Sequence, residues 1–292
     1  MALEEFAVER IGVVGCGQMG GGIAEVVARS GLDVFIVESS AEARDAGRDR
    51  VLAALAKSLE RGTVTGEDHG AAVQRLHFTT ALEDLASVDF VIEAVSEQAD
   101  IKFDLFRRLD AICGADTVLA SNTSSIPIHS IADVTAHPER VIGLHFFNPV
   151  PVMKLVEVIA TPRTSADTKR LAYELTSALN KTAISAPDQA GFLVNYLLIP
   201  YLVSAIRLFE SGLASAQDID NGMMLGCGHP MGPLRLTDLI GLDTTLAIAD
   251  LLHDSFPEPQ MQAPSLLRSM VRDGKLGRKS GEGFFSYPAN GA

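Results

Sequence analysis

Two residues with acid–base chemistry, His145 and Glu157, stand within one otherwise apolar segment. The runs from Val141 to Leu144 and from Leu155 to Ile159 predict two short buried strands joined by a proline-rich connection. A buried carboxylate is costly unless it is paired. If the connection folds back, Glu157 pairs with His145 and raises the basicity of its imidazole, which suits proton transfer near neutral pH. This stretch alone is equally compatible with a core histidine and a solvated glutamate at a strand end.

The N-terminal region predicts a dinucleotide site. An apolar run from Arg10 to Val14 is typical of a buried parallel strand, and three glycines at spacing G-x-G-x-x-G follow it at once. Gly15 permits a tight turn, Gly17 lets the backbone approach a pyrophosphate, and Gly20 lets the next helix pack on the sheet. That helix is predicted over residues 19–30, with its positive end toward the phosphates.

An acidic residue at the end of the next strand favours one cofactor. The apolar strand from Val34 to Val37 is followed by Glu38. A carboxylate there accepts hydrogen bonds from the ribose hydroxyls of an adenosine and repels a 2′-phosphate. The sequence therefore predicts a Rossmann-type domain that binds NAD in preference to NADP.

Composition places the chain among two-domain, soluble enzymes. The length of 292 residues, with 47% hydrophobic residues, predicts two domains, residues 1–187 and residues 188–292. The net charge of −13 argues against a nucleic-acid partner. No apolar run is long enough to span a bilayer, so no membrane partner is expected. Three widely spaced cysteines suit a reducing, cytoplasmic location, and the seven histidines show no metal-ligand spacing.

The rest of the first domain continues the β/α pattern. Two helices, residues 40–61 and 66–76, form a predicted pair inserted into the sheet. Four cations on this pair are expected to be solvated, with the alternative that the last two meet a phosphorylated ligand: Arg48, Arg50, Lys57 and Arg61.

Further strands are predicted at residues 77–79, 89–95 and 118–120. Glu93 lies inside one of them, and Glu97 lies just beyond its carboxyl end, where ligands bind in open parallel sheets. Lys102 falls on a helix predicted over residues 99–112. The polar run Ser121–Ser125 follows the next strand, and it is either a turn and cap for a helix over residues 126–134 or a set of ligand-facing hydroxyls.

The sequence predicts an all-α second domain. A linker over residues 186–191 precedes a long apolar helix from Phe192 to about Ser211, and further helices are predicted over residues 218–225, 233–240, 242–255 and 263–272. Asn195 is a polar residue among the apolar first turns of this helix. Its side chain either hydrogen-bonds to the nearby backbone or offers its amide to a ligand. Helices this apolar predict burial against a second copy of the chain, hence a homodimer.

Taken together, these motifs resemble the short-chain 3-hydroxyacyl-CoA dehydrogenases, in particular the bacterial enzymes that act on 3-hydroxybutyryl-CoA. The resemblance runs from Arg10 to about Tyr287. Its specific segments are residues 15–20, 121–125, 143–149, 155–158, 191–195, 229–234, 239–243 and 276–281. It implies a Rossmann-type domain with an inserted helical pair, followed by an all-α dimerisation domain.

The resemblance also implies a reaction and its residues. His145 would be the catalytic base, Glu157 its orienting partner, and Ser124 and Asn195 would hold the acyl-CoA substrate near its reactive oxygen. The implied NAD contacts are Gly15, Gly17, Gln18, Met19, Gly20, Glu38, Glu97, Lys102, Asn122, Ser124 and Asn148. Lys57 and Arg61 match the family's CoA contacts only partly. The implied reaction oxidises an (S)-3-hydroxyacyl-CoA to the 3-oxoacyl-CoA, or reverses that step.

Three alternatives remain open. The hydroxyacyl unit, of a hydroxymalonyl type, could be carried by a carrier protein rather than by CoA. The substrate could be another hydroxy acid, which would need a charged anchor in place of a thioester pocket. The chain could also be a non-catalytic NAD-binding protein, against which the set His145, Glu157, Ser124 and Asn195 argues.

Overall fold

The protein folds as two compact units, the first ending at Gln189 and the second beginning at Ala190. The structure is a computed structural model, and it describes residues 8–287. The boundary expected from sequence, between residues 187 and 188, falls in the same connecting segment. None of the helices formed by residues 8–287 combines the length and apolar character needed to cross a bilayer.

The first unit is built on one eight-stranded sheet. Its strands are β1 (Arg10–Val14), β2 (Asp33–Val37), β3 (Leu76–Thr79), β4 (Phe90–Glu93), β5 (Val118–Ser121), β6 (Val141–Phe146), β7 (Leu155–Ile159) and β8 (Thr182–Ala186). They lie in the order β3-β2-β1-β4-β5-β6-β7-β8. The first six are parallel, β7 runs antiparallel to β6, and β8 is parallel to β7. The order 3-2-1-4-5-6 is that of a doubly wound dinucleotide fold, so the predicted fold class is confirmed.

Six helices accompany this sheet: α1 (Gln18–Arg29), α2 (Ala41–Glu60), α3 (Gly66–Gln74), α4 (Ala99–Ile112), α5 (Ile128–Ala132) and α6 (Ala166–Ala178). Helices α2 and α3 are the inserted pair. Each begins at a hydroxyl cap, Ser40 accepting from the Ala43 N–H and Thr65 from the Asp68 N–H. Strand residues and one face of α1 are fully buried together in the core of this unit.

Two elements of the first unit were not predicted, and one helix is much shorter than expected. Helix α6 and strand β8 were not predicted, because their sequences are polar and rich in small residues. The helix expected over residues 126–134 is shorter, since Thr123 Oγ1 accepts from the Ser125 and Ile126 N–H groups and holds a turn. Pro127 then precedes α5, and Asp188 accepts from the Ile128 and His129 N–H groups at its start.

A buried ion pair fixes the approach to β6. Arg140, 4% exposed, donates to Asp110 Oδ1 on α4 at 2.8 Å and to the carbonyls of Asp110 and Gly114. Asp110 also accepts from the Ala136 N–H and contacts His137 Nδ1. Burial alone raises the pKa of the Asp110 carboxyl, but the hydrogen bonds from Arg140, Ala136 and His137 outweigh it and hold the pKa below its ordinary value. The strand that carries His145 therefore starts from a rigid point.

The second unit is helical, as expected. Its helices are α7 (Val194–Glu210), α8 (Ala216–Cys227), α9 (Pro233–Ile240), α10 (Leu242–Ser255) and α11 (Ser265–Arg272). Helix α7 starts after Phe192 because Gly191 and Phe192 have φ values of 74° and 48°, outside the right-handed helical region. Helix α11 starts after Pro264, whose backbone is extended.

A buried carboxylate ties the end of the described chain to this unit. Asp238 on α9 accepts from the N–H groups of Phe284 and Phe285 and from the hydroxyl of Tyr287, each at 2.9 Å. Both phenylalanines pack against the helical core. The segment that follows the last helix is therefore part of the folded unit.

Candidate active site

The two residues with acid–base chemistry lie side by side. In the antiparallel pairing of β6 and β7, His145 is opposite Glu157, and its Nδ1 lies 2.7 Å from Glu157 Oε2. His145 is 5% exposed and Glu157 is fully buried. A carboxylate oxygen accepts hydrogen bonds, so the contact directs Nδ1 of the imidazole toward Glu157. The predicted contact between His145 and Glu157 is present.

The glycine loop has the shape that a dinucleotide requires. Gly15 adopts φ 88°, and a Cβ built on Gly20 would lie 1.8 Å from the Gly15 carbonyl oxygen, so neither position tolerates a side chain. A Cβ built on Gly17 would meet no protein atom within 4 Å. The space above Gly17 is therefore open to a phosphate group. Helix α1 begins here without a side-chain cap, which leaves its first N–H groups available for that group.

Glu38 follows β2 and supports this loop. Its Oε1 accepts from the Cys16 N–H at 2.5 Å, and its Oε2 accepts from the Ser39 N–H at 3.1 Å. A carboxylate has about four acceptor positions, so two remain for ribose hydroxyls. The residues present therefore fit an NAD adenosine at this edge of the sheet.

Arg50 is exposed, as expected for a solvated cation, and it also contacts the glycine loop. Its Nη1 donates to the Cys16 carbonyl oxygen at 2.6 Å, which links the inserted helical pair to the glycine loop. Burial, and next the charge of Glu38, raise the pKa of the Cys16 thiol to about 11, although Arg50 acts in the opposite direction. The thiol is therefore neutral and is not a nucleophile. No sequence signal marked Arg50, because the contact depends on how α2 packs.

The segment Ser121–Ser125, called here the Ser124 loop, is organised by Glu97. One carboxylate oxygen, Oε1, accepts from Thr123 Oγ1, Ser124 N, Ser125 N and Ser125 Oγ at 2.5 to 3.0 Å. Burial alone raises the pKa of the Glu97 carboxyl, but the charge of Lys102 and these hydroxyls outweigh it and lower the pKa. Glu97 is therefore an anion that orders the loop carrying Ser124.

Lys102 is buried and paired with two carboxylates. Its side chain is 1% exposed, and its Nζ lies 2.5 Å from Glu93 Oε1 and 3.2 Å from Glu97 Oε2. Glu93 is fully buried as well. Lys102, predicted from the sequence as a cofactor contact, has its ammonium group between these two carboxylates.

The remaining predicted cofactor residues surround the same sheet edge. Asn122 Oδ1 accepts from the Phe146 N–H at 2.9 Å, beside the histidine position. Gln18 Nε2 donates to Asn148 Oδ1 at 3.1 Å, so the start of α1 meets the loop after β6. Met19 is half-buried on α1. These contacts bring cofactor-loop residues and dyad-strand residues together.

The three predicted substrate residues outside this edge occupy other elements. Lys57 and Arg61 are exposed at the C-terminal end of α2. Asn195 lies in the first turn of α7, in the second unit, and is 9% exposed. Among residues 8–287, no group of three or more His, Cys, Asp or Glu side chains is placed to hold a metal ion.

The fold and the glycine loop define the first unit as a dinucleotide-binding domain of the doubly wound class. The 3-hydroxyacyl-CoA dehydrogenase NAD-binding domain matches residues 10–189, and the C-terminal domain of the same family matches residues 191–287. The chain belongs to the 3-hydroxyacyl-CoA dehydrogenase family, and its first unit is that family's NAD-binding domain.

Named relatives agree with this assignment over nearly the whole chain. The 3-hydroxybutyryl-CoA dehydrogenase of Mycobacterium tuberculosis is 48% identical over 283 residues, covering 96% of this chain and 99% of that protein. The human mitochondrial hydroxyacyl-coenzyme A dehydrogenase is 43% identical, covering 97% and 93%. The crystal structure of M. tuberculosis FadB2 matches with TM-score 0.94 and 48% identity, covering 97% and 100%. That of (S)-3-hydroxybutyryl-CoA dehydrogenase from Ralstonia eutropha matches with TM-score 0.91 and 42% identity, covering 97% and 100%.

Proposed function

We propose that this protein oxidises (S)-3-hydroxyacyl-CoA thioesters, with 3-hydroxybutyryl-CoA as the reference substrate, to the 3-oxoacyl-CoA with NAD, and catalyses the reverse reduction. The observation that carries the proposal is the buried contact between His145 Nδ1 and Glu157 Oε2 at the edge of the NAD-binding sheet. The names of the relatives support the choice of substrate.

The proton chemistry belongs to the protein. A secondary alcohol cannot lose hydride from C3 without also losing its hydroxyl proton, so a base must accept that proton. His145 takes it at Nε2, and Glu157 stabilises the imidazolium through Nδ1–H, as the carboxylate does in a Ser-His-Asp arrangement. NAD, when bound, supplies the hydride acceptor. In the reducing direction His145 returns the proton to the 3-oxygen.

Other residues hold the reactants. Glycines 15, 17 and 20 and the start of α1 receive the pyrophosphate, and Glu38 receives the adenosine ribose. The Ser124 hydroxyl binds the substrate's 3-oxygen, and the Asn195 amide binds the acyl-CoA near its thioester. The remaining proposed cofactor contacts are Gln18, Met19, Glu97, Lys102, Asn122 and Asn148. Lys57 and Arg61 are the proposed contacts for the CoA phosphates, because both are exposed cations.

Residues 1–187 form the proposed NAD domain, and residues 188–292 form the proposed substrate and dimerisation domain. The second unit exposes large apolar side chains that support a homodimer: Leu197, Leu208, Leu213, Leu225 and Leu239. The proposed compartment is the cytoplasm, because Cys16, Cys113 and Cys227 are all free and Cys227 is exposed.

The decisive experiment follows NADH oxidation by the purified full chain with acetoacetyl-CoA. We expect saturable turnover, a reaction that reverses with (S)-3-hydroxybutyryl-CoA and NAD, and slow turnover of the (R) isomer. A series of 3-oxoacyl-CoAs from four to sixteen carbons then gives the chain-length preference, and the matching carrier-protein thioesters test the carrier. Absence of turnover with every CoA thioester, by protein that binds NADH, would overturn the proposal.

A further inference from the structure

Glu93 is a buried carboxylate for which the proposed mechanism has no use. It ends β4, it is fully buried, and both of its oxygens are bonded. Its Oε1 accepts from the Val95 N–H at 2.7 Å and from Lys102 Nζ at 2.5 Å. Its Oε2 accepts from Ser121 Oγ at 2.6 Å. Replacing a buried ion pair by apolar side chains of similar volume is often neutral or stabilising, so stability alone gives no reason for Glu93.

Two of these contacts, those with Ser121 and Lys102, lead to the Ser124 loop. Ser121 begins the loop, and its Oγ also accepts from the Thr123 N–H at 3.2 Å. Lys102 Nζ contacts both Glu93 and Glu97, and Glu97 Oε1 accepts from the Ser124 and Ser125 N–H groups. The chain of contacts therefore starts on a rigid strand and reaches both ends of a five-residue loop.

The charges explain why two carboxylates are needed. Lys102 is almost completely removed from solvent, so its ammonium needs a buried countercharge. Glu93 supplies it and holds Nζ 3.2 Å from Glu97 Oε2, which leaves Glu97 Oε1 to the loop. Without the charge of Glu93, the Lys102 ammonium would have Glu97 as its countercharge. It would then compete with the Ser124 loop for hydrogen bonds to that carboxylate.

We propose that Glu93 is a positioning residue: through Ser121 on one side and through Lys102 and Glu97 on the other, it sets the place of Ser124. The effect on the reaction rests on the proposed function, in which the Ser124 hydroxyl meets the substrate's 3-oxygen. The effect on the loop does not depend on it.

The first test measures the loop itself. Glu93→Gln keeps the shape of the side chain and removes its charge. We expect the backbone amides of Ser124 and Ser125 to exchange with solvent about tenfold faster, as the loss of hydrogen bonds to Glu97 requires. Glu25→Gln is the matched control, because Glu25 is also a buried carboxylate, 3% exposed and paired with Arg29, but makes no contact with the loop. Unchanged exchange at both amides in Glu93→Gln would overturn the proposal.

The second test measures catalysis. A loop displaced by a fraction of an ångström should lower kcat for acetoacetyl-CoA by ~10–100-fold in Glu93→Gln, while Glu25→Gln keeps the wild-type value. In a Ser124→Ala background the same change should cost little, because the group that it positions is gone. Equal losses in both backgrounds would contradict positioning of Ser124.

Two further outcomes are separated by design. If Ser124→Ala alone keeps wild-type kcat, the proposed role of Ser124 fails, and the amide exchange still decides the role of Glu93. If Glu93→Gln does not fold, Ser121→Ala removes the uncharged link to Glu93 and should also speed exchange at Ser124, whose N–H donates to Glu97 and not to Ser121. Wild-type exchange at the Ser124 amide would then refute the proposal.

Discussion

His145 and Glu157 are cross-strand partners in the antiparallel pairing of β6 with β7. Residues directly opposite in such a pairing project to the same face with their Cβ atoms about 5 Å apart, so the register itself brings the imidazole to the carboxylate. A slip of one residue would send Glu157 to the other face. The register of β6 and β7 therefore sets the contact between His145 and Glu157.

The first prediction concerns this dyad. His145→Gln should lower kcat by ~10²–10⁴-fold, the usual worth of a positioned general base, and leave NADH affinity nearly unchanged. Glu157→Gln should be similarly damaging, because the amide keeps the shape but withdraws the charge that supports an imidazolium. The double variant should lose much less than the product of the two single losses. Steady-state kinetics with chemistry shown to be rate-limiting checks this, and near-wild-type turnover in His145→Gln would refute the mechanism.

We expect cofactor choice to depend on Glu38. We expect higher kcat/KM with NADH than with NADPH, since the carboxylate faces a 2′-phosphate with like charge. Glu38→Gln can still accept from the Cys16 N–H and should raise the NADPH-to-NADH ratio of kcat/KM by ~10-fold or more. Glu60→Gln, at the far end of α2, serves as the control. Equal efficiency of both cofactors with the wild-type protein would contradict this role.

Arg50 should matter for cofactor affinity. Arg50→Met removes the hydrogen bond to the Cys16 carbonyl oxygen, worth about 0.5–1.5 kcal/mol, and should raise the Kd of NADH by ~2–10-fold with little change in kcat. Arg48→Met changes an exposed cation on the same helix and should change neither value. Titration of nicotinamide fluorescence measures the effect, and identical Kd values for the two variants would show that the contact is not used.

The sequence predicted most of the first unit because its signals are local. A strand, three glycines, a helix and a terminal acid follow one another within 30 residues or so, and each needs a specific backbone or burial. The partners of Glu93 and Arg50 were not predictable in this way. Ser121 is 28 positions from Glu93 and Cys16 is 34 from Arg50, so these contacts exist only after the sheet and the helical pair have packed.

Two missed elements have a different physical reason. Strand β8 is partly exposed and built from small residues, and its pairing with β7 rather than its own sequence makes it a strand. Helix α6 shows the polar outer face of a helix that covers a sheet edge, and only four of its residues are buried: Thr168, Ala172, Leu175 and Thr176. The positions of Glu97 and Lys102 were predicted, whereas the direction of the Lys102 side chain was not.

Acid stability should depend on Asp110. Its pKa lies below the ordinary carboxyl value in the folded protein, so its contribution to stability is fully present above that value, about 4, and is lost as the pH falls through the folded pKa. Asp110→Asn should lower the urea midpoint at neutral pH and flatten its decrease below about pH 4. Asp133→Asn, which breaks an exposed pair with Arg163, should do neither. An equal decrease of the urea midpoint below about pH 4 in the wild type and in Asp110→Asn would exclude this role.

The proposed homodimer can be tested at its most exposed leucines. Leu213 is 82% exposed and Leu225 is 85% exposed in the second unit. The double variant Leu213→Glu/Leu225→Glu should leave the stability of a monomer unchanged. If a second copy covers these two leucines, the variant should raise the dimer dissociation constant by at least ~100-fold. Light scattering over a dilution series measures this, with Tyr173→Glu on α6 as the control. A wild-type protein that is monomeric and active at micromolar concentration would refute the dimer.

The hydrogen bonds that Asp238 accepts from Phe284, Phe285 and Tyr287 bear on the order in which the chain folds during synthesis. Residues of the first unit can complete their sheet once β8 has left the ribosome, because that strand closes the series. The second unit cannot bury its helices fully until synthesis has passed Tyr287, since two aromatic side chains of its core arrive only then. In a cell, the first unit, with His145 and Glu157, can therefore fold before the second unit, with Asn195. During the interval the apolar helices of the second unit lack part of their core contacts.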